Sequence, residues 1–347
     1  MIIYRKAQQL RVQRATVPEP PFWAATTIAP YSARRGAPVA IDYLDLRASF
    51  SERIEVGVCE NVPEKLERAM ERHPLIEPAL IEASEFAEAI FRRGEEALRF
   101  CCQNDCAPIH LISTRGALPE AACDRAIVVI STWPLDFPQL QELFDSARQR
   151  NFRWGVAIPV IFPVTTNLEA LRDIADAARA GGARFIAALP IEVDAGARGA
   201  IARSLALNDD PETYDLLFHA DLEPIHVATE RHIAALAAEI GIADFITPPQ
   251  FEQRSNWNAA LLLTLTATRM IAMKHDVETA SRIARSARTV AQLDKPIERI
   301  ASAARLTIIG SLDPISVEAL TEWVESGHST FVDHVNKQWR LRRDAGM

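Results

Sequence analysis

Ile127-Val128-Val129-Ile130 is a run of four β-branched residues with no polar residue among them. A strand with one face in water alternates apolar and polar residues, whereas a strand covered on both faces reads as an unbroken apolar run, which is how parallel sheets wrapped by helices are built. The run therefore points to an α/β chain with a parallel sheet, and the sequence on either side agrees. Across residues 54–246, short apolar runs alternate with longer segments of helical spacing, the pattern of strands joined by crossover helices. Strands are expected over 54–59, 108–113, 126–131, 154–162, 184–189 and 245–247. Helices are expected over 140–151 and 167–180. The second of these is opened by Thr166 or Asn167 as a cap and stopped by Gly181-Gly182.

The pattern changes near Pro248. Helical segments then follow one another over 256–274, 277–292, 296–306, 314–326 and 329–343. Asp313-Pro314 reads as a helix start, with a carboxylate to cap the first N–H groups and a proline where no N–H is needed. The expected organisation is a domain over 1–247 and a helical C-terminal domain over 248–347, with Thr247-Pro248-Pro249 between them.

With 347 residues, 48% hydrophobic and 24% charged, the chain can bury one large core or two. A net charge of −8 argues against an overall nucleic-acid coat while leaving room for a local basic face. The start of the chain lacks an apolar core of signal-peptide length, and the longest apolar stretch, 259–268, is too short to span a bilayer. The five cysteines, an odd number scattered along the chain, do not form a disulfide framework. These readings lead to the expectation of a soluble, cytoplasmic protein with no membrane partner, its cysteines reduced.

A second stretch bears on chemistry: Ala29-Pro30-Tyr31-Ser32-Ala33-Arg34-Arg35-Gly36-Ala37-Pro38-Val39-Ala40-Ile41. It resembles the loop after the first barrel strand in DNA-repair photolyases of the spore photoproduct lyase type, a radical S-adenosylmethionine family. Pro30 and Tyr31 match, while the family's three cluster cysteines fall on Arg34, Pro38 and Ile41, which offer no thiolate. The resemblance extends over about half of the chain through Phe50-Ser51-Glu52-Arg53-Ile54-Glu55-Val56, Asn61-Val62-Pro63-Glu64, Ile112-Ser113-Thr114-Arg115, Ile130-Ser131-Thr132-Trp133 and Ile158-Pro159-Val160-Ile161-Phe162-Pro163. It implies a partial parallel (β/α) barrel of the radical S-adenosylmethionine type. It also implies a degenerate cluster motif, with no iron-sulfur cluster and no S-adenosylmethionine expected. Where the family carries a cofactor-binding Thr-Asp-x-x-Gln-Pro segment, this chain has Ile81-Glu82-Ala83-Ser84-Glu85-Phe86. Cys102 and Cys106 have the first spacing of the cluster motif, but its third position is Ile109, and they read as small buried hydrophobes instead.

In such a barrel, ligands bind where strand ends and their loops converge. The candidate ligand-binding residues are Tyr31, Arg34, Arg35, Arg115, Thr132, Trp133 and, from the 165–167 turn, Asn167. The candidate acid and base are Glu192 and Asp194. Three arginines from separate strand ends suit an anionic or nucleotide-like ligand, with Trp133 as a stacking surface.

Three functional readings follow. The first is a pseudoenzyme acting as a partner subunit, or a redox-neutral enzyme, with an anionic ligand at the barrel mouth. The second is an unrelated barrel enzyme using a metal near His219, Asp221, Glu223, His226 and His232, although spacings of seven and six between the histidines match no compact ligand motif, so no metal ligand is assigned. The third is a nucleic-acid module acting through Arg282, Arg285 and Arg288, with Arg340, Arg342 and Arg343 as a second cluster. The plainer reading of that stripe is a solvated face paired with glutamates.

Overall fold

The computed structural model describes residues 2–7, 10–14, 18, 26–29, 31–33, 54–72, 79–81, 88–104, 108–112, 118–120, 123–132, 137–190, 195–205, 207, 210–246, 255–300 and 303–344. The chain forms two compact units, one of residues 1–14 and 26–249, the other of residues 15–25 and 250–347.

The first unit is α/β. Its strands are β1 (Ile2–Ala7), β2 (Arg11–Arg14), β3 (Thr26–Ala29), β4 (Tyr31–Ala33), β5 (Ile54–Cys59), β6 (Ala79–Ile81), β7 (Pro108–Ile112), β8 (Ile127–Ser131), β9 (Trp154–Val160) and β10 (Ile186–Pro190). Its helices are α1 (Val62–Arg72), α2 (Glu88–Gln103), α3 (Phe137–Gln149), α4 (Leu168–Gly181), α5 (Ala195–Ser204), α6 (Pro211–His219) and α7 (Glu223–Glu239). Seven strands make the main sheet in the order β10-β9-β8-β7-β6-β3-β2. From β3 to β10 every pairing is parallel, and β2 lies antiparallel on the edge. These parallel strands follow chain order without a reversal, so the sheet lacks the switch point of a doubly wound fold.

The unbroken apolar runs are buried as their composition requires. All five residues of β8 and all seven of β9 are buried. Side chains alternate across a strand, and Val128, Ile130, Trp154, Val156, Ile158 and Ile186 pack against Leu140 and Phe144 of α3 and Leu171 and Ile174 of α4 in one core. The other face closes more tightly. Gly155 lies opposite Phe185, and a Cβ there would come within 2.5 Å of three ring atoms, so this position needs glycine.

Local signals hold at the helix ends. Asn167 caps α4, its Oδ1 accepting from the N–H groups of Glu169 at 3.0 Å and Ala170 at 3.1 Å. Gly182 ends that helix with φ of 85°, a left-handed conformation suited to glycine.

Three expectations are corrected. Strand β5 leaves the main sheet and forms a smaller one, β1-β5-β4, parallel to β1 and antiparallel to β4. Tyr31–Ala33 is therefore a strand and not part of a loop, and residues 34–41 lie outside the described residues. Phe245 and Ile246 are not in a strand, Thr247 lies outside the described residues, and nearby Ala243 makes an isolated bridge to Phe185. Proline at 248 and 249 supplies no N–H to extend the ladder there. Finally, Cys102 and Cys123 are paired in a disulfide with Cα atoms 5.5 Å apart. The pairing arises because the end of α2 and the segment before β8 meet at the same edge of the sheet, which spacing in sequence does not reveal.

In the second unit, the described residues from 255 onward are α8 (Ser255–Ala272), α9 (Val277–Ala291), α10 (Ile297–Ile300), α11 (Ala303–Leu306), α12 (Pro314–Ser326) and α13 (Thr330–Asp344). Their core is built on Leu263, Met270, Ile283, Val290, Leu306 and Leu320. The helix expected over 296–306 is described as two short helices on either side of residues 301–302. Among the described residues, no helix is long and apolar enough to cross a membrane.

Candidate functional site

A parallel sheet in chain order releases every strand-to-helix loop at one edge, the carboxyl edge. After β8 the chain continues through Thr132, fully buried, whose N–H donates to Ala157 O at 3.0 Å and so extends the ladder past the strand. Its Oγ1 is buried without a hydrogen-bond partner. A buried hydroxyl left unpaired carries a desolvation cost that a bound group could relieve.

After β9 the chain turns back on itself around Thr165, also fully buried. The Thr165 hydroxyl accepts from Ile161 N–H at 2.8 Å and donates to Pro159 O, while Thr165 N–H donates to Ile161 O at 2.8 Å. The Phe162-Pro163 peptide within this turn is cis. The turn delivers Asn167 to the start of α4, where its side-chain oxygen serves the helix cap.

After β10, residues 191–194 lead into the first turn of α5, which carries Arg198. Arg198 Nη1 donates to Leu217 O at 3.2 Å. Helix α7 ends close to Ala243, which pairs with the beginning of β10. Its first turn, at the far end of the helix, holds His226 close enough to Arg198 for the two charges to interact. Glu223, His226 and Glu230 recur at spacings of three and four, one face of the helix.

His226 and Glu230 on this face are half-buried while Glu223 is exposed, and burial shifts the first two. Burial holds the His226 imidazole below its ordinary range; the Glu223 carboxylate opposes that and the Arg198 guanidinium reinforces it. Burial also raises the Glu230 carboxyl, and Glu223 pushes it the same way. His226 Nε2 is buried without a hydrogen-bond partner. An imidazole whose pKa is lowered, a carboxyl whose pKa is raised and a neighbouring cation are groups suited to proton transfer beside an anion. Arg198 and Glu230 were not among the residues expected from the sequence, although the helical spacing of Glu223, His226 and Glu230 is legible there.

Of the expected site residues, Thr132 and Asn167 are brought to the ends of adjacent strands. Tyr31 follows β3 directly but belongs to β4. Arg34, Arg35, Arg115, Trp133, Glu192 and Asp194 lie outside the described residues.

His219, Asp221 and His226 do not share one centre. His219 is exposed, and Asp221 Oδ1 accepts from Glu223 N–H at 3.1 Å at the start of α7. Among the described residues, no three His, Cys, Asp or Glu side chains gather closely enough to hold a metal ion. In the second unit Arg282 is engaged internally, at 2.8 Å from Asp313 Oδ2 and 2.9 Å from Glu278 Oε1. Arg285 and Arg288 are exposed.

Compared with family models, curated proteins and solved structures, the chain matches none. The donor set at the positions of the resemblance does not fit the iron-sulfur cluster that the photolyase-type family carries. Arg34, Pro38 and Ile41 supply no thiolate, Cys59 and Cys101 are buried, and Cys102 is paired with Cys123.

Proposed function

We propose that this chain uses a radical S-adenosylmethionine-like partial barrel, followed by a helical domain, to bind a small anionic or nucleotide-like ligand at the carboxyl edge of its sheet. In this reading it has lost the cluster chemistry. It acts either as a redox-neutral catalyst or as a ligand-sensing partner subunit. The observation that carries the reading is the chain-ordered run of parallel strands from β3 to β10, which sends its loops to one edge. In the sequence Arg115, Trp133, Glu192 and Asp194 follow β7, β8 and β10, and Thr132, which follows β8, has a buried hydroxyl with no hydrogen-bond partner. Arg198 adds positive charge, and His226, lowered by burial, and Glu230, raised by burial, join Glu192 and Asp194 as candidate proton-transfer groups.

Two measurements test it. Purified chain treated anaerobically with iron and sulfide should remain colourless and iron-free, and a stoichiometric cluster would overturn the reading. Inorganic phosphate or a nucleotide should raise the melting temperature, since ligand at a hundred times its Kd adds about 2.7 kcal/mol of stability. Arg115→Ala and Arg198→Ala should each abolish that shift. If the shift survives both and disappears in Arg285→Ala/Arg288→Ala, the ligand site lies in the second unit and the nucleic-acid reading replaces this one.

A further inference from the structure

The amino edge of the main sheet, opposite the candidate site, holds a cavity of about 300 Å³ between the last turns of α2 and the segment before β8. That volume is at the small end of ligand pockets. Its lining includes Glu95, Arg99, Cys102, Gln103, Glu120 and Cys123, so both sulfurs of the disulfide belong to residues in its wall. Both cysteines are only half-buried, in contrast to the neighbouring Cys101, which is fully buried. A disulfide bordering an open cavity is one that a small thiolate can reach.

The two halves are not equivalent. Cys123 N–H donates to Cys102 Sγ at 3.3 Å. The same N–H would support negative charge on Cys102 once the bond opens, because hydrogen bonds to an ionised acceptor strengthen. Cys102 is therefore the leaving sulfur and Cys123 the one attacked. The charge of the wall selects the attacker. Among the described lining residues Glu95 and Glu120 stand with Arg99, whose Nη2 lies 3.9 Å from Glu120 Oε2, and Glu95 Oε1 accepts from Glu120 N–H at 3.2 Å; Arg150, which does not line the cavity, donates to Pro119 O at 3.1 Å. With two carboxylates to one guanidinium the wall is net negative and suits an ammonium group.

We propose that this cavity is an exchange site for a small aminothiol, a thiol carrying an ammonium group. The aminothiol's thiolate attacks Cys123 Sγ, the Cys102–Cys123 bond breaks, and its electron pair leaves on Cys102 as a thiolate. A second aminothiol attacks the outer sulfur of the mixed disulfide on Cys123 and departs as the oxidised aminothiol disulfide. Two thiols are oxidised, one protein disulfide is reduced, and the two thiol protons end on Cys102 and Cys123.

The test uses the full chain purified without reductant. Peptide mapping should find a link between the peptides carrying Cys102 and Cys123 that persists in Cys101→Ser and is lost in Cys123→Ser. Absence of that link in the unmodified chain would overturn the proposal. Reduction rates are then compared for cysteamine, which is cationic, and mercaptoacetate, which is anionic, at equal thiolate concentration. Cysteamine should be faster by about fivefold, and Glu95→Gln/Glu120→Gln should bring the ratio close to one. In Cys102→Ser, cystamine should leave a mixed disulfide on Cys123. Equal rates with the two thiols, or a faster mercaptoacetate reaction, would refute the proposed selectivity and with it the site.

Discussion

Replacing Gly155 by alanine should destabilise the first unit strongly for so small a change. The added Cβ would sit 2.5 Å from Cδ1, Cε1 and Cζ of Phe185, whereas carbon atoms pack at about 3.5–4.0 Å. Relief requires roughly 1 Å of movement by the strand or the ring. The strand is held on both sides, by β8 through the Val129–Gly155 pairing and by β10 through Val156–Ile186. The ring is fully buried. Overpacking of this kind costs about 1–3 kcal/mol, and with both partners pinned the upper part of that range applies. Loss of glycine's conformational freedom in the unfolded chain returns roughly 0.5–1 kcal/mol, leaving a net loss of about 2 kcal/mol. Urea unfolding followed by far-ultraviolet circular dichroism should read this as a lower midpoint at unchanged slope. A double-mutant cycle isolates the cause. Phe185→Leu alone should destabilise, but in the Gly155→Ala background it should restore stability, with a coupling of at least about 1 kcal/mol. A Gly155→Ala protein within about 0.5 kcal/mol of wild type, or additive effects in the cycle, would refute the argument.

Three further predictions concern pH and capping. The His226 imidazole is held below its ordinary value of 6.5, so the unfolded chain takes up the proton first and stability should fall as pH drops below that value; His226→Gln should flatten this limb of a pH–stability curve. The Glu230 carboxyl is raised above its ordinary 4.5, so its contribution is present below that value and is lost as pH rises through the folded pKa; Glu230→Gln should make the protein more stable than wild type at pH 8. Asp313 caps α12, its Oδ1 accepting from Ile315 N–H at 2.9 Å, and pairs with Arg282 through Oδ2 at 2.8 Å. Asp313→Ala removes both interactions from a nearly buried side chain and should cost about 2 kcal/mol in thermal or denaturant unfolding, while Asp313→Asn should recover part of the cap.

Much of the central sheet is legible because its residues carry their burial in their chemistry. The apolar runs at β8, β9 and β10 cannot face water on either side, and the expected strands there end within two residues of the observed ones. Helices α4 and α12 were equally legible, because Asn167, Gly182 and Asp313-Pro314 satisfy or omit backbone N–H groups within one turn of where they stand. The short strands β2, β4 and β6 have too few residues for a periodic signal, and their existence depends on a partner strand.

The candidate site divides along the same line. The proposal of an anionic ligand at the carboxyl edge rests on where arginines fall relative to strand ends in the sequence, a property of the chain order. That Arg198 approaches His226, and that Thr132 Oγ1 ends buried without a partner, depends on how α5, α7 and β8 come together.

The sequence by itself determined the elements whose causes are local: continuous burial of β8 and β9, the caps of α4 and α12, and the absence of a thiolate at 34, 38 and 41. Only the tertiary structure decided which sheet β5 joins, and that Cys102 meets Cys123 across 21 residues of chain. It also decided that Gly155 must admit the Phe185 ring. The physical reason is that caps and apolar runs act within a few residues, where the backbone permits only a few conformations. Pairings across long loops are chosen by competition among partners of similar local merit, and the winner is set by the packing of the whole unit.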